Sequence, residues 1–431
     1  MASFFIPLTG LNADSTSLNT IANDLANMST TGFKSQAVNF SDLFYQQLGA
    51  TGSGDPIQTG AGTQVASITT DFSNGTPNST GLNTDVALQG NGFFVVDGSG
   101  GQFLTRAGHF TTDSTGNLVT PNGMSVMGYP AVKGVVNTAS PLTPINIPIG
   151  QVLAPQATST FGMTANLDGT GQNAVFPATV DVYDSLGQMH TATVTYTQTA
   201  PPAVNSWSYS IALPPADTGG ASTPVTGTMT FDATGNLSKV NGTAVGTNAA
   251  AGQVSSIPVA FNGLTDQANP LAMTWNLLSS AGKPTITQVT SASTAPAGTA
   301  SAVSGTTQDG FASGQYQGFV IGSDGTVTVT FSNYQKVNVG QVALGNVTNP
   351  QGLRDMGNGD YSTTLASGTV AVATSGSAGL GTMQNGALEG SNVNISGEFS
   401  ALIIAQRAFE ANSKTITTFD TITQETIQMI H

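Results

Sequence analysis

The side chains that could do chemistry in this sequence are few and far apart. Cysteine is absent, which excludes disulfides, thiolate nucleophiles and cysteine-based zinc sites. The three histidines, His109, His190 and His431, share no local spacing typical of a metal site. Asp181 and Asp184 are close in sequence, but strand spacing places them on opposite faces, so they do not indicate a glycosidase pair. We therefore predict no catalytic, cofactor-binding or metal-binding residues, and we predict that the protein is not an enzyme.

Four segments place an aspartate one to three residues before a glycine, between two extended runs. These segments are TTDSTGNLV (111–119), VYDSLGQMH (182–190), TFDATGNLS (230–238) and GSDGTVTV (322–329). Calcium ligation is one interpretation, but none of them supplies the EF-hand ligand series. Hairpin turns are the other, in which Asp accepts backbone hydrogen bonds and Gly takes positive φ. The pattern favours turns.

The sequence supports neither a glycine-rich phosphate-binding loop nor a serine nucleophile. The Gly-x-Gly at 90–92 precedes an extended run and not a helix, so it does not predict a phosphate-binding loop. No G-x-S-x-G nucleophile elbow occurs. Tight turns flanking a strand are the expected structure at 90–92.

Composition narrows the function classes. The 431 residues carry 9 basic and 23 acidic side chains, a net charge of −14, and the basic residues are scattered. This balance argues against nucleic-acid binding, which needs clustered Lys and Arg. No apolar run approaches the ~18 residues of a membrane span. The first basic residue is Lys34, so the N-terminus lacks the basic region of a secretory signal, and export would use no cleaved signal peptide.

Both ends of the chain carry an apolar stripe with a seven-residue period. This period predicts amphipathic helices from about Leu8 to Met28 and from Ser396 to His431. Such stripes usually pack on the core of their own domain. Here we favour packing between neighbouring chains, because a lone helix of this length is marginal in water. The predicted self-assembly residues are Leu11, Leu18, Ile21, Leu25, Met28, Phe399, Leu402, Phe409, Ile416, Phe419, Ile427 and Ile430.

Between the two ends the period changes to two, as in GFFVV (92–96) and TATVTYTQ (191–198), which predicts antiparallel β-structure. The fold class is therefore multidomain, mainly antiparallel β in the middle, with terminal helices forming a coiled-coil-like pair. Seams rich in Gly, Pro, Ser and Thr indicate one β domain inserted into another. The predicted domains are 1–34 with 391–431 (helical), 35–70 with 366–390 (extended linkers), 71–150 with 301–365 (middle β) and 151–300 (inserted outer β).

The two ends resemble bacterial flagellar axial proteins of the rod and hook group. The segment NDLANMSTTGFK (23–34) is similar to the N-terminal signature of this group, and GALEGSNVNISGEFSALIIAQRAFEAN (386–412) to its C-terminal pattern. Asn394, Gly397 and Phe409 replace the usual Asp, Glu and Tyr, which predicts a weaker helix cap. The signature residues are Asn23, Leu25, Ala26, Asn27, Thr30, Gly32, Phe33, Lys34, Ser391, Asn392, Val393, Gln406, Arg407, Ala408 and Asn412.

Two interior segments, 88–130 and 339–353, are similar to the middle-domain module of the same group, although Ala107 stands where Asn or Asp is common. The segment at 176–196 looks like the outer domain of the hook subgroup, and the length of the chain favours that subgroup over the shorter rod proteins. The resemblance implies a structural subunit of the hook. Such subunits form a curved flexible tube that joins rod to filament and transmits torque as a universal joint.

The resemblance also implies partners and a location. The partners would be other copies of the chain, the hook cap protein during assembly, the distal rod protein, the first hook–filament junction protein and the flagellar export apparatus. The location would be the extracellular hook of the flagellar basal body, with no nucleic acid bound and no membrane insertion. A distal rod or junction protein of the same group is an alternative, and a secreted β-rich adhesin or hydrolase is a weaker one.

Overall fold

The computed structural model describes residues 4–43, 46–50, 56–170, 174–199, 205–220, 223–248, 251–289 and 301–430, without the side chains of 46–50, 56–59 and 430. The chain divides into two compact units. The first unit contains Met1–Ile149, Gln317–Thr330 and Lys336–His431, and the second contains Gly150–Tyr316 and Phe331–Gln335. Each unit is described separately below.

Three α-helices occur in the described residues: α1 (Phe5–Ala26), α2 (Pro215–Thr218) and α3 (Ile395–Ile430). The expected terminal helices are therefore present. Helix α1 begins three residues earlier and ends two residues earlier than its stripe suggests. It ends at Ala26 because the side chain of Asn27 donates to the Asn23 carbonyl and the backbone then leaves the helix. His431 lies outside the described residues.

The strands are short and numerous. In the first half of the chain they are β1 (Gln36–Asp42), β2 (Gln46–Ala50), β3 (Pro56–Thr59), β4 (Thr63–Thr70), β5 (Pro77–Ser79), β6 (Val86–Gln89), β7 (Phe93–Gly98), β8 (Gly101–Thr105), β9 (Thr111–Thr112), β10 (Leu118–Val119), β11 (Ser125–Val132), β12 (Val135–Val136), β13 (Thr143–Pro144), β14 (Val152–Leu153), β15 (Thr160–Asp168), β16 (Val175–Tyr183), β17 (Met189–Gln198) and β18 (Ser206–Ala212). In the second half they are β19 (Val225–Phe231), β20 (Leu237–Val240), β21 (Thr243–Ala244), β22 (Ser256–Phe261), β23 (Leu271–Asn276), β24 (Ile286–Val289), β25 (Ala302–Gln308), β26 (Gly314–Ile321), β27 (Thr326–Phe331), β28 (Lys336–Asn346), β29 (Arg354–Gly357), β30 (Asp360–Ser362), β31 (Ala371–Thr374), β32 (Thr382–Asn385) and β33 (Ala387–Glu389).

The first unit is built on a sheet whose central strands run in the order β27-β28-β11-β7-β8-β30-β29. Strand β7 lies inside this sheet, and Phe93 to Val96 are all buried. The expected alternation in GFFVV is therefore wrong for this strand, because both of its faces are covered. Phe93 packs edge-on against Phe72 and Tyr361 on one face, and Phe94 packs against Phe110.

The second unit packs a six-stranded sheet, β16-β17-β18-β19-β20-β21, and a five-stranded sheet, β22-β23-β15-β24 with β25, around one core. Strand β17 alternates buried and partly exposed residues along its length, as the two-residue period predicts. Trp275 lies at the centre, stacked on Phe161 with ring centroids 5.8 Å apart and edge-on to Tyr209 at 5.7 Å. The predominance of antiparallel pairing is confirmed, although β15 pairs in parallel with β23 and β24.

The stretch expected to be an extended linker, 35–70, contains paired strands. Strands β1 and β4 form an antiparallel hairpin from Gln36 opposite Thr70 to Asp42 opposite Thr63, and β2 pairs with β3 inside it. The sequence did not predict these strands because the hairpin buries little apolar surface and therefore shows no clear two-residue period. Backbone hydrogen bonds hold it together.

The aspartate-glycine segments are turns. In the first unit, Asp113 Oδ1 accepts hydrogen bonds from the backbone N–H groups of Thr115 and Asn117, both at 2.8 Å. In the second unit, Asp232 does the same for Thr234 at 2.8 Å and Asn236 at 3.0 Å. These bonds hold the pKa of both carboxyls below their usual range, led by the side-chain hydroxyl of the Thr two residues on. The turn interpretation is confirmed for these segments.

Candidate functional site

The two terminal helices pack side by side in opposite directions in the first unit. The rings of Phe4 and Phe419 lie 5.9 Å apart at one end of the contact. Further along, Asn412 Nδ2 donates to Asp14 Oδ2 at 2.8 Å. Gly10 lies under the same amide, and a Cβ on Gly10 would approach Asn412 Nδ2 to 2.6 Å. A glycine in α1 therefore makes room for the polar contact that joins the two helices.

The most buried face of α1 is not its leucine stripe. Ala13, Thr20, Ile21 and Asp24 are buried, and small or polar side chains dominate this face. The predicted apolar residues instead have a mixed exposure. Ile21 is buried, and Leu11, Leu18, Leu25, Leu402, Phe409, Ile416 and Phe419 are half-buried. Met28, Phe399 and Ile427 are exposed, and the side chain of Ile430 lies outside the described residues.

Further large apolar side chains of the helix pair face solvent. Phe5, Ile6 and Leu8 are exposed on α1, and Ile403 and Ile404 on α3, where Ile404 is 70% exposed. The seven-residue ladder missed Ile403 and Ile404 because they lie between its rungs. A four-residue spacing from Phe399 would have indicated Ile403. The isolated pair thus leaves an apolar surface uncovered.

A buried ion cluster connects the start of the chain to its end. Lys34 Nζ lies 2.7 Å from Glu389 Oε1, and Arg106 Nη1 lies 3.3 Å from Glu389 Oε2. The Lys34 and Glu389 side chains are 0% exposed and that of Arg106 is 2% exposed. Burial lowers the pKa of Lys34 and of Arg106, and the Glu389 carboxylate opposes both shifts. Removing one member would leave an uncompensated buried charge.

Backbone groups complete this cluster. Glu389 Oε1 accepts from the Gly75 N–H at 2.9 Å, and Lys34 Nζ donates to the Ser73 carbonyl at 2.7 Å. The Gly32 N–H donates to the Glu389 carbonyl at 2.8 Å. Gly32 has φ +69, and a Cβ there would lie 2.8 Å from the carbonyl carbon of Arg106. Glycine at this signature position therefore permits both the left-handed turn and the close approach to Arg106.

The remaining residues of the N-terminal signature bond to one another. Asn27 Nδ2 donates to the Asn23 carbonyl at 3.0 Å, and Thr30 Oγ1 donates to Asn27 Oδ1 at 3.0 Å. Together they fix the exit from α1 that leads to Gly32 and Lys34. Ala26 is exposed at the end of the helix and Phe33 is half-buried.

Asn392, in the C-terminal signature, joins the same junction. Its Oδ1 accepts from the Ser35 N–H at 2.8 Å, and its Nδ2 donates to the Asp71 carbonyl at 2.8 Å. Ser391 Oγ accepts from the Val393 N–H at 3.3 Å. Gln406 and Arg407 are exposed, away from this junction. Arg407 bonds to Glu410 on its own helix at 3.2 Å.

Asn394 caps α3, against the expectation of a weakened cap. Its Oδ1 accepts from the Gly397 N–H at 3.2 Å. An asparagine oxygen serves this position about as well as an aspartate oxygen, so the substitution costs little.

Sequence reasoning missed two polar residues of this region, Asp24 and Glu389. Asp24 is buried, and its Oδ2 accepts from the Gln36 N–H at 2.8 Å. Its Oδ1 has no partner among the described residues. Burial raises the pKa of Asp24 to about 6, a shift that the Gln36 N–H opposes and the charge of Glu398 reinforces. Nothing in the local sequence marks either residue, since their partners are distant or backbone.

A groove of about 660 Å³ lies beside the signature residues in the first unit. Asn23, Asn27 and Thr30 contribute to its lining, as do Asp355 on β29 and Asp360 on β30. Burial raises the pKa of Asp360, which accepts from Asn122 Nδ2 at 3.3 Å. Amide and hydroxyl side chains line the groove together with Phe33, Pro121 and Tyr361, so its lining is part polar and part apolar.

One group of three potential metal ligands, a histidine with two carboxylates, occurs in the described part of the chain. Asp184, His190 and Asp266, all in the second unit, bring one side-chain nitrogen or oxygen each within 4.8 Å of the others. Both ring nitrogens of His190 already lie at hydrogen-bond distance from carboxylates. The arrangement is that of an ion-paired histidine.

Four family models match consecutive parts of the chain. They are described as flagella basal body rod protein (residues 8–34), flagellar hook protein FlgE/F/G D1 domain (87–170), flagellar basal body protein FlaE D2 domain (153–311) and flagellar basal body rod FlgEFG protein C-terminal (384–429). Both signature segments and the cluster residues Lys34, Arg106 and Glu389 fall within the matched ranges.

Known proteins are similar over almost the whole chain. The flagellar hook protein FlgE of Treponema pallidum is 35% identical, with 98% of each chain covered. That of Salmonella typhimurium is 34% identical, with 97% of this chain and 98% of the relative covered. A crystal structure of the Helicobacter pylori flagellar hook protein FlgE2 has a TM-score of 0.54 at 16% identity, covering 72% of this chain and all of that one, which supports the fold alone. No helix of the described residues is long and apolar enough to cross a bilayer.

Proposed function

This chain belongs to the flagellar hook protein family, and from that premise we propose that it polymerises through its terminal helices into the hook. As a structural hook subunit, it would form a curved tube that joins the rod to the filament and transmits torque while it bends. The exposed apolar surface of α1 and α3 is the observation that carries the proposal.

The helix pair is incomplete as an isolated structure. Large side chains such as Phe5, Ile404 and Met429 remain in water although the two helices are packed together. Each such side chain gains roughly 1.5–3 kcal/mol when it is fully buried, so neighbouring copies would stabilise the pair strongly. We propose that α1 and α3 form a coiled-coil-like pair whose outer stripes are buried on adjacent subunits, with the predicted assembly residues in those contacts.

The remaining domains follow from this arrangement. In our proposal 1–34 with 391–431 forms the inner layer, the β-strands of the first unit form the middle layer and the second unit forms the outer, inserted layer. Polar, hydrated contacts between β domains permit neighbours to slide during bending, whereas large apolar ones would lock them. The low charge and high glycine content of the connecting segments suit such contacts.

Further partners are also proposed. They are the hook cap protein, the distal rod protein, the first hook–filament junction protein and the flagellar export apparatus. We propose no catalytic activity for the chain.

A paired substitution tests the proposal. Replacing both Ile403 and Ile404 with serine removes apolar surface that the subunit itself leaves exposed, so the monomer should fold unchanged but polymerise poorly. Leu365, fully exposed at 105% in the first unit, supplies the control Leu365→Ser. Polymer formation is followed by light scattering and electron microscopy. If the double variant forms tubes as readily as the control, the exposed helix surface is not the assembly surface.

A further inference from the structure

The second unit encloses a histidine between carboxylates. His190, on β17, is buried, with its Nδ1 3.0 Å from Asp217 Oδ2 and its Nε2 3.2 Å from Asp184 Oδ2. Asp266 Oδ2 lies 3.9 Å from the same Nε2 and, within the described residues, accepts no hydrogen bond. One imidazole thus faces three acids from three separate segments.

Only the protonated ring satisfies this geometry. A neutral imidazole has one N–H and one lone pair, so one of its nitrogens would face a carboxylate oxygen lone pair to lone pair. An imidazolium donates from both nitrogens. Asp184 Oδ1 accepts from the Leu186 and Gln188 N–H groups at 2.9 and 2.8 Å, and these bonds favour the ionised form of the carboxyl that faces Nε2.

The balance of burial and charge agrees with a protonated ring. Burial by itself lowers the pKa of His190, but the hydrogen bonds and charges of Asp217 and Asp184 outweigh it and raise the pKa above its ordinary value. Burial by itself raises the pKa of Asp184, but its contacts with Asp266, the Gln188 N–H, His190 and the Leu186 N–H outweigh burial and hold that pKa below its usual range. His190 and Asp184 therefore favour each other's charged forms.

The three acids belong to three separate segments of the chain. Asp184 lies in the turn between β16 and β17, Asp217 in the one-turn helix α2 and Asp266 in the loop between β22 and β23. A few other hydrogen bonds also join these segments: Thr265 donates from its N–H and its hydroxyl to the Asp217 carbonyl at 2.9 and 3.2 Å, and the Asn269 N–H donates to Ser185 Oγ at 3.0 Å. His190 is where all three segments meet.

We propose that His190, as an imidazolium, is a pH-dependent fastener that joins the β16–β17 turn, α2 and the β22–β23 loop in the second unit. When the ring loses its proton at alkaline pH, the Asp184 and Asp217 carboxylates are left close together without a cation between them. The three segments then separate, while the two-sheet core below remains folded.

The direction of the pH effect follows from the raised pKa. Stabilisation by His190 is complete below about pH 6.5, the ordinary histidine value, and is lost as the pH rises through the higher value of the folded protein. The folding equilibrium constant of the second unit should fall by about tenfold for each unit by which the pKa is raised.

Two measurements on the full chain test the fastener. The chain has two tryptophans, Trp207 and Trp275, both buried in the second unit, so denaturant unfolding followed by their fluorescence reports on that unit. We expect unfolding to become easier between pH 6.5 and 9, and His190→Gln to abolish this change. His109→Gln is the control, since His109 faces one carboxylate in the first unit and is 44% exposed. A fall of equal size in His190→Gln would overturn the proposal.

Proton NMR of the ring resonances supplies the second measurement. We expect the resonance absent from His190→Gln to titrate above about pH 6.5. Asp217→Asn keeps the ring in place and should move that midpoint downward, which covers the case that His190→Gln fails to fold. The titrations are repeated with chelator and with added Zn²⁺ or Mn²⁺. A midpoint at or below the ordinary value, or one that metal ions lower while stabilising the unit, overturns the proposal.

Discussion

Lys34 and Glu389 form a fully buried ion pair, 2.7 Å from Nζ to Oε1, across 355 residues of sequence. Glu389 also bonds to Arg106, so one carboxylate compensates two buried cations. Glu389→Gln keeps the shape but removes the charge, and we expect the first unit to lose about 3–5 kcal/mol of unfolding free energy. Urea unfolding followed by far-ultraviolet circular dichroism measures this loss.

Glu410→Gln is the matched control for that substitution. Glu410 pairs with Arg407 at 3.2 Å on the surface of α3, where both side chains are mostly exposed, and such pairs contribute little. We expect no measurable change for Glu410→Gln, and no change in the tryptophan-detected unfolding of the second unit for either variant. If Glu389→Gln and Glu410→Gln lower the unfolding free energy of the first unit equally, the burial of Lys34, Arg106 and Glu389 does not contribute to its stability.

Gly32→Ala should destabilise the first unit more than an ordinary glycine substitution at positive φ. The backbone of Gly32 is left-handed, and an added Cβ would also meet the Arg106 carbonyl carbon at 2.8 Å. Gly134 has φ +77 with open space around it, so Gly134→Ala isolates the conformational cost, about 1 kcal/mol. The difference between the two variants in urea unfolding measures the steric contribution, and a zero difference would contradict it.

The stability of the helix junction should depend on the pH through Asp24. Because its folded pKa is raised to about 6, the neutral form favours folding, and stability falls as the pH rises from about 4 through 6. Asp24→Asn keeps an oxygen for the Gln36 N–H and should remove this fall. Unfolding midpoints at pH 4, 5, 6 and 7 should therefore diverge in favour of the variant. Parallel curves for the two proteins would refute the assignment.

A second variant refines the Asp24 prediction. Glu398 raises the pKa of Asp24 through its charge, so Glu398→Gln should shift the fall in stability to lower pH without abolishing it. Burial raises the pKa of Glu398 as well, so Glu398→Gln also changes the pH dependence of stability directly. The effect of Glu398→Gln in the Asp24→Asn background measures this direct contribution, which is subtracted from its effect in the unchanged protein.

Gly10→Ala should bring no gain in helix stability. In an exposed helix this change is worth about 0.5–1 kcal/mol in favour of Ala. Here the new Cβ displaces the Asn412 amide from Asp14, a hydrogen bond worth about 0.5–1.5 kcal/mol. In the Asn412→Ala background the usual gain should return. Thermal melting of all four proteins, followed at 222 nm, gives the coupling energy, which would be zero if Gly10 and Asn412 were independent.

The regular elements were predictable because their signals are local. The terminal helices follow from a seven-residue period, the alternation in β17 from a two-residue period, and the turns at Asp113 and Asp232 from their short Asp-to-Gly spacing. Each depends on residues within about ten positions of one another, a range in which propensity and periodicity determine structure.

The buried charged residues were not predictable, because their partners lie far away in the sequence. Glu389 meets Lys34 and Arg106 only after the whole first unit has folded, and Asp217 and Asp266 reach His190 from segments far along the chain. A buried acid in an otherwise uncharged stretch has no periodic signature. The leucine stripe predicted that α1 is a helix, but it did not predict which face of the helix is most buried. Close packing against α3 requires small side chains such as Gly10 and Ala13, which a search for large apolar residues does not find.

The pairing of Lys34 with Glu389 also sets an order of events for a chain that emerges N-terminus first. Every core residue of the second unit, from Phe161 to Ile286, precedes Glu389 in the sequence. The core of that unit can therefore form while Lys34 and Arg106 are still solvated and unpaired with Glu389. The contact between Lys34 and Glu389 also closes a loop of 355 residues, and the entropy of loop closure opposes it, so this contact forms slowly as well as late. Completion of the first unit therefore requires that the chain has emerged at least as far as Glu389.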